Sequence, residues 1–307
     1  MRMVSLGSDR RAWNRFRANR AAVVSAWFMA LLTLLTFLGP FAWPYEPNAI
    51  SDLQFSAPSL SHWLGTDVHG RDMLARVLYG TRISLMVGAV GAGVSLVIGA
   101  LWGAVAGYVG GRTDGIMMRI VDILYSLPSI IFVIVLITAL NGLVERWQAM
   151  GLSAESAKTI QLIGLFGGLG LVSWLTMARI VRGQVLSLRN QPFVEASRAL
   201  GAGHLHILRR HILPNVAGVI IVYLALTVPS VVLYESFLSY LGLGIQPPQA
   251  SLGSLIAEGA SQINPIRTYW WLIVFPACTL AGTLLALNFA GDGLRDALSP
   301  RSGQNKG

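Results

Sequence analysis

The chain has 307 residues, 54% hydrophobic and only 12% charged, with one cysteine, Cys278, and a formal net charge of +9. Soluble domains carry about twice that charged fraction, so a pair of soluble domains, a disordered chain, collagen and a coiled coil are excluded, as is any intrachain disulfide or Cys-based metal centre. The basic excess leaves nucleic acid or an anionic membrane surface as partner, and the position of the charges decides between them.

Six stretches lack Asp, Glu, Lys and Arg and are long enough to cross a bilayer, which takes about 20 apolar residues at roughly 1.5 Å each. The first has its apolar body at Ala21–Trp43, behind Arg10, Arg11, Arg15, Arg17 and Arg20. It exceeds the roughly 7–15-residue core of a cleaved signal and reads as an uncleaved anchor. The outer loop after it holds His62 and His69 with Asp67 and Asp72. Within it, Gly65-Thr66-Asp67 reads as a turn capping a helix over Arg71–Tyr79.

The second span lies between Arg82 and Arg112. It carries a small residue at every fourth position: Gly91, Ser95, Gly99, Gly103, Gly107 and Gly111. Positions i and i+4 share one helix face. Small residues there let a second backbone come close, so a helix-packing face is predicted. The third span covers Ile123–Val144, after Asp122, which has Arg119 one turn away as a partner. The fourth lies between Lys158 and Arg179.

The fifth span runs from beyond Pro214 to Tyr234, and Glu235 at its end is within reach of interfacial water. The sixth lies between Arg267 and Asp292, with Gly291-Asp292-Gly293 as its C-terminal cap. Pro128, Pro229 and Pro276 fall inside spans three, five and six, where each removes a backbone donor and can kink its helix. A seventh uncharged run, Ser236–Ala257, has Gln246, Pro247, Pro248 and Gln249 at its middle. It reads as a short apolar dip at the surface followed by a loop.

The pattern predicts an all-α integral membrane protein with six transmembrane helices. A cytoplasmic segment 1–20 precedes a transmembrane domain 21–291, and a cytoplasmic tail 292–307 follows. Arginine bias sets this orientation. With both termini inside, only Arg71, Arg76, Arg82, Arg146, Lys158 and Arg267 of the 23 Lys and Arg fall outside. The positive charge therefore marks topology at a lipid surface, and nucleic acid is not a partner.

The loop 184–215, between spans four and five, is longer than a tight connection needs. Pro192 suits a first helical turn with Asn190 or Gln191 as cap. Phe193, Val194, Ala196, Ala199 and Leu200 form one apolar face, and Gly201 and Gly203 break the helix. Leu205, Ile207, Leu208 and Ile212 restart a stripe with Arg209 and Arg210 opposite, and Pro214 ends it. Two short amphipathic helices with a glycine elbow make either a surface helix on anionic headgroups or a docking knob for a cytoplasmic partner.

Glu195-Ala196-Ser197 with Gly201, followed by His211-Ile212-Leu213-Pro214, resembles the EAA loop of ABC importer permeases. The general pattern has Ala at Ser197 and Ile at His211. The variant here is similar to the branch that imports di- and oligopeptides and nickel. His62–Leu85, Leu238–Pro248 and Gly291–Arg301 resemble that branch too, and RFRANRAAVV at Arg15–Val24 resembles the second of its two permease subunits.

The resemblance covers nearly the whole chain and implies a type I ABC importer permease fold in the plasma (inner) membrane. It implies that Glu195, Ala196, Ser197, Gly201, His211, Ile212, Leu213 and Pro214 form a coupling helix region seated in a groove of an ATPase. It further implies two ABC ATPase subunits, a second homologous permease subunit in a heterodimer, and an extracytoplasmic solute-binding protein. Di- or oligopeptide is the implied substrate, with nickel or an oligosaccharide as alternatives.

No chemistry of its own is readable in the chain. A Walker A loop needs Gly-Lys followed by Ser or Thr, whereas Ala157 and Asn305 precede the only lysines, Lys158 and Lys306. His-Glu-x-x-His and Gly-x-Ser-x-Gly are absent. His204, His206 and His211 cluster without a Cys or paired carboxylate, so they read as surface or partner contact, not as a metal site. No catalytic residue, metal or cofactor is expected. The competing class, a secondary transporter or channel, would show internal symmetry and polar breaks at mid-membrane. A membrane-bound enzyme would need a catalytic constellation.

Overall fold

The computed structural model describes residues 5–245, 248–264 and 266–298. The expected tail beyond Leu298, with Arg301, lies outside the described residues, as do Gln246 and Pro247. Among the described residues the one β pairing is an isolated bridge between Thr66 and Asp72, and all other regular structure is helical.

The helices are α1 (Ser5–Ala18), α2 (Arg20–Ala42), α3 (Met73–Val109), α4 (Gly111–Ser126), α5 (Ser129–Ala149) and α6 (Ala154–Leu188). Then come α7 (Pro192–Ala199), α8 (His204–Ile207), a π-turn (Leu208–Ile212), α9 (Leu213–Tyr240), α10 (Leu252–Ser261) and α11 (Trp271–Leu298). Six runs are long and apolar enough to cross a membrane: α2, α3, α5, α6, the run His204–Tyr240 ending in α9, and α11. They coincide in order with the six charge-free stretches. Pro229 and Pro276 lie inside α9 and α11.

Several local expectations are corrected. Pro128 does not kink a span; it separates two helices. Leu127 is extended at ψ 136°, as a residue before proline must be, and Pro128 caps α5 without an N–H to offer. Gly65-Thr66-Asp67 is not the cap of a short helix. Asp72 caps instead, its Oδ1 accepting from Ala75 N at 2.8 Å, and α3 runs on for 37 residues.

The seventh run is not a dip and a loop. Ser236–Tyr240 completes α9, and α10 then starts on a reciprocal cap between Ser251 and Ser254. Gly291-Asp292-Gly293 is not a cap either, because α11 continues to Leu298. A Cβ on Gly293 would collide with the Ala22 Cβ, so the glycine there serves close approach of α2.

The chain divides into two compact units, one built on Val90–Val228 and the other on Phe16–Ala89 with Pro229–Gly293. In the first, the end of α3 lies against α6. A Cβ on Gly99 would sit 2.6 Å from Met177 Cβ, one on Gly103 3.0 Å from Val181 Cβ, and one on Gly107 3.0 Å from Val185 Cβ. Contact advances in the same direction along both helices, as two spans separated by one intervening span require. Gly111 departs from the row: it opens α4 at φ +57°, with open space around it. Ala106, Met118, Val121, Trp174, Leu175 and Ala178 bury α4 against α3 and α6.

In the second unit, Met73 and Val77 of α3, Leu252 and Leu255 of α10 and Trp271 and Leu272 of α11 share one core. Trp271 Nε1 donates to Thr66 O at 3.1 Å and ties the loop before α3 to that core.

Candidate functional site

The segment from α7 to the π-turn stands on the first unit. Pro192 occupies the first turn of α7 behind Gln191 as N-cap, where a missing N–H costs nothing. Glu195 lies in that first turn and is exposed, its charge favoured by the positive end of the helix. The expected apolar face splits. Val194 is fully buried, whereas Phe193, Ala196, Ala199 and Leu200 are exposed, Leu200 to 88%. An eight-residue helix lying on a surface turns little more than one residue inward, so the rest of its apolar face stays free.

The elbow closes by backbone bonds alone. Gly201 N donates to Arg198 O at 2.9 Å and Ala202 N to Ser197 O at 3.1 Å, with Gly201 at φ +81°. This is the left-handed helix end that glycine adopts without strain. Ile207 and Ile212 then turn fully inward, while Leu205 is 61% exposed.

Pro214 does not end the second helix; it sits in the first turn of α9. A proline there cannot donate to the carbonyl four residues back. The preceding turn widens to a π-turn, with Leu213 N reaching Leu208 O. Asn215 Nδ2 donates to His211 O at 2.5 Å.

Val194, Ile207 and Ile212 enter one core with Ala104 and Tyr108 of α3, Met177, Val181 and Val185 of α6, and Val216 of α9. Polar ties add direction. Arg189 Nη1 donates to Gly107 O at 3.1 Å, and Tyr108 Oη pairs with His204 Nδ1 at 3.1 Å. The Arg198 guanidinium lies 5.6 Å from the Tyr108 ring centre. The His206 and His211 rings are 6.1 Å apart. Glu195, Ala196, Gly201 and Pro214 lie at the surface, Ser197, His211 and Leu213 are half-buried, and Ile212 is an anchor.

Two ion pairs hold α4 to the end of α6. Arg182 binds Asp114 through Nε–Oδ1 at 2.5 Å and Nη2–Oδ2 at 2.6 Å. The Arg182 hydrogen bonds hold the Asp114 carboxyl below the usual range, against the opposing effect of burial. Asp122 pairs with Arg179 at 2.8 Å and not with Arg119, because the side of α4 that faces α6 carries it there.

The family model for the binding-protein-dependent transport system inner membrane component matches residues 99–304, a range that contains the whole α7–α9 segment. The chain belongs to that family. A second model, the N-terminal TM domain of oligopeptide transport permease C, matches residues 10–58. The chain is 46% identical to the oligopeptide transport system permease protein OppC of Escherichia coli K12, over 97% of this chain and 92% of that one. It is 43% identical to OppC of Haemophilus influenzae, over 94% and 88%. It is 41% identical to the dipeptide transport system permease protein DppC of Bacillus subtilis, over 97% and 87%.

Among solved structures, an inward-facing form of the MetNI methionine ABC transporter matches with a TM-score of 0.56 at 20% identity, covering 74% of this chain and 98% of that chain. The likeness is one of fold: this inner membrane component has the all-α architecture of an ABC importer permease.

Two charged groups of this inner membrane component escaped the sequence reading. Glu235 is not at a wet interface but fully buried. It accepts from Ser84 Oγ at 3.0 Å and Ser239 Oγ at 2.7 Å, with Ser236 and Ser251 also bonded to it. Ser84 and Ser239 in turn accept from Leu252 N and Ile245 N, so the carboxylate organises the turn after α9 and the start of α10. Ser239, four residues on, was the one partner readable from spacing. The second missed group is the set Asp67, Arg71, Arg76 and Glu258: Asp67 is local to both arginines, but Glu258 reaches them from 182 and 187 residues away.

Proposed function

We propose that this chain is the second, C-type permease subunit of an ATP-driven importer of di- and oligopeptides, working with a homologous permease, two ABC ATPases and an extracytoplasmic solute-binding protein. It carries no ATP site of its own. Segments 1–20 and 292–307 face the cytoplasm, as does the loop 184–215 within the transmembrane domain 21–291.

One juxtaposition supports the coupling role most directly. Val194, Ile207 and Ile212 are fully buried anchors, while Glu195 and the apolar Phe193 and Leu200 remain open on the same short segment. A rotation of an ATPase seated on Glu195, Ala196 and Ser197 reaches α3 and α6 through packed side chains. A floppy loop would dissipate it. Gly201 sets the elbow, and His211-Ile212-Leu213-Pro214 joins it to α9. Lipid covers the exposed apolar faces of the spans.

Co-purification tests the assembly. In mild detergent the chain brings down two ATPases and a second permease. A purified chain that transports peptide alone overturns the reading. Glu195→Lys and Gly201→Asp leave membrane insertion intact and lose or uncouple the ATPases. Normal transport-linked ATP hydrolysis in both variants contradicts the coupling role.

A further inference from the structure

We propose that the cavity beside α10 is a carboxylate-binding subsite for the free C-terminus of a peptide, held closed by Glu258 acting as an internal carboxylate. This rests on the peptide-import reading and on loop 44–82 facing outward. The cavity has a volume of about 280 Å³, just under the roughly 300–1,000 Å³ of drug-sized ligand pockets.

At its base Arg76, only 1% exposed, meets Glu258 as a fork, Nη1–Oε2 at 2.6 Å and Nη2–Oε1 at 3.0 Å. Arg71 Nη2 approaches the same oxygen Oε2 at 3.3 Å. A planar carboxylate held end-on by a guanidinium is the geometry by which arginine recognises a free carboxylate.

The two carboxylates of the cluster differ in kind. Asp67 is built in: its Oδ2 accepts from Arg71 Nε and Arg76 Nη1, each at 2.6 Å, and its Oδ1 accepts from the backbone N–H of His69 and Arg71. Glu258 reaches in from the rim, its side chain 36% exposed against 5% for Asp67. It stands in the last turn of α10, where the helix dipole disfavours negative charge, so the arginines are what hold it.

Arg76 Nε is buried and has no acceptor, so the guanidinium has more donor capacity than its two partners use. Met73, Leu255 and Leu272 form an apolar wall beside the fork, which suits the last side chain of a peptide. A ligand that displaces Glu258 therefore gains the same two hydrogen bonds and the wall.

The test uses the complete transporter in nanodiscs without its solute-binding protein, and an N-terminally labelled trileucine as free acid or C-terminal amide. Glu258→Gln, at the exposed partner, removes the internal competitor and keeps its shape. The free acid is expected to bind this variant about ten-fold tighter than wild type, and about ten-fold tighter than the amide. Adding Arg76→Lys, which keeps the charge and removes the fork, abolishes the difference. Equal binding of acid and amide to Glu258→Gln, or no gain over wild type, overturns the subsite. Failure of the wild-type transporter with its binding protein to import any peptide overturns the import reading instead, and is scored separately.

Discussion

Arg182 closes on Asp114 through two hydrogen bonds of 2.5 and 2.6 Å, and so fixes the first turn of α4 to the far end of α6. The same stretch of α6 carries Val181 and Val185, which pack under the knob. One bidentate pair thereby stabilises the platform on which α7 rests.

Removing Arg182 leaves Asp114 buried without its bidentate partner, and removing Asp114 leaves a half-buried Arg182 without its own. Asp114→Asn or Arg182→Met is expected to cost about 1.5–3 kcal/mol, read as a lower melting temperature of the detergent-solubilised complex. The pair also gives a pH signature. Asp114 binds a proton less readily in the folded chain than in the unfolded one. Its contribution is complete above the ordinary Asp pKa near ~4 and is lost as pH falls through the lower folded value. The gap between wild type and Asp114→Asn should be constant near neutrality and close on acidification below about pH 4. A gap that widens in acid contradicts the sign.

The glycine face of α3 makes a positional prediction. Gly103→Leu must displace Val181 and the backbone at Arg182, 2.9 Å from the added Cβ. Overpacking of this kind costs about 1–3 kcal/mol or more, and the variant should be degraded or lost from the membrane fraction. Gly93→Ala meets open space on the same helix and should accumulate normally. Equal abundance of the two would refute the close approach of α3 to α6.

The six spans were legible because lipid tolerates so few charges that their absence alone marks a helix, and the span order followed from that. The glycine row announced a face, but only the fold names α6 as its partner. Chain breaks were harder. Pro128 separates two helices while Pro229 and Pro276 lie inside one, and the residue type alone does not distinguish the two cases. Glu235 read as interfacial because nothing local reveals that Ser84 and Ser251, distant in sequence, will enclose it. Within the loop, spacing located α7, the elbow and the stripe, yet Val194 alone of its face turned inward.

Glu235 is expected to be structural in effect. Glu235→Ala strips the acceptor from Ser84, Ser236, Ser239 and Ser251 in a buried place. Each hydroxyl left without a partner costs about 1–3 kcal/mol. Limited proteolysis should then cut the chain in the turn between α9 and α10, where Ile245 N and Leu252 N depend on those serines. Glu235→Gln, which keeps an acceptor and the volume, should retain most of the protection. Identical digestion of wild type and Glu235→Ala would show that the carboxylate does not order this turn.

Val194 and Leu200 separate anchoring from docking on α7 and its C-cap. Val194→Ala opens a cavity where α7 meets α3 and α6, with a loss of about 1–3 kcal/mol. On the proposed coupling role the knob then still binds an ATPase but transmits its motion poorly. ATPases should co-purify at wild-type levels while peptide uptake per ATP falls. Leu200→Glu alters a side chain that is 88% exposed and should leave the chain as stable as wild type. It places a charge on the face proposed to meet the ATPase, so on that reading the ATPases should be lost on purification. Opposite outcomes, with Val194→Ala losing the ATPases and Leu200→Glu keeping both binding and uptake, would place the contact elsewhere than on the open face of α7.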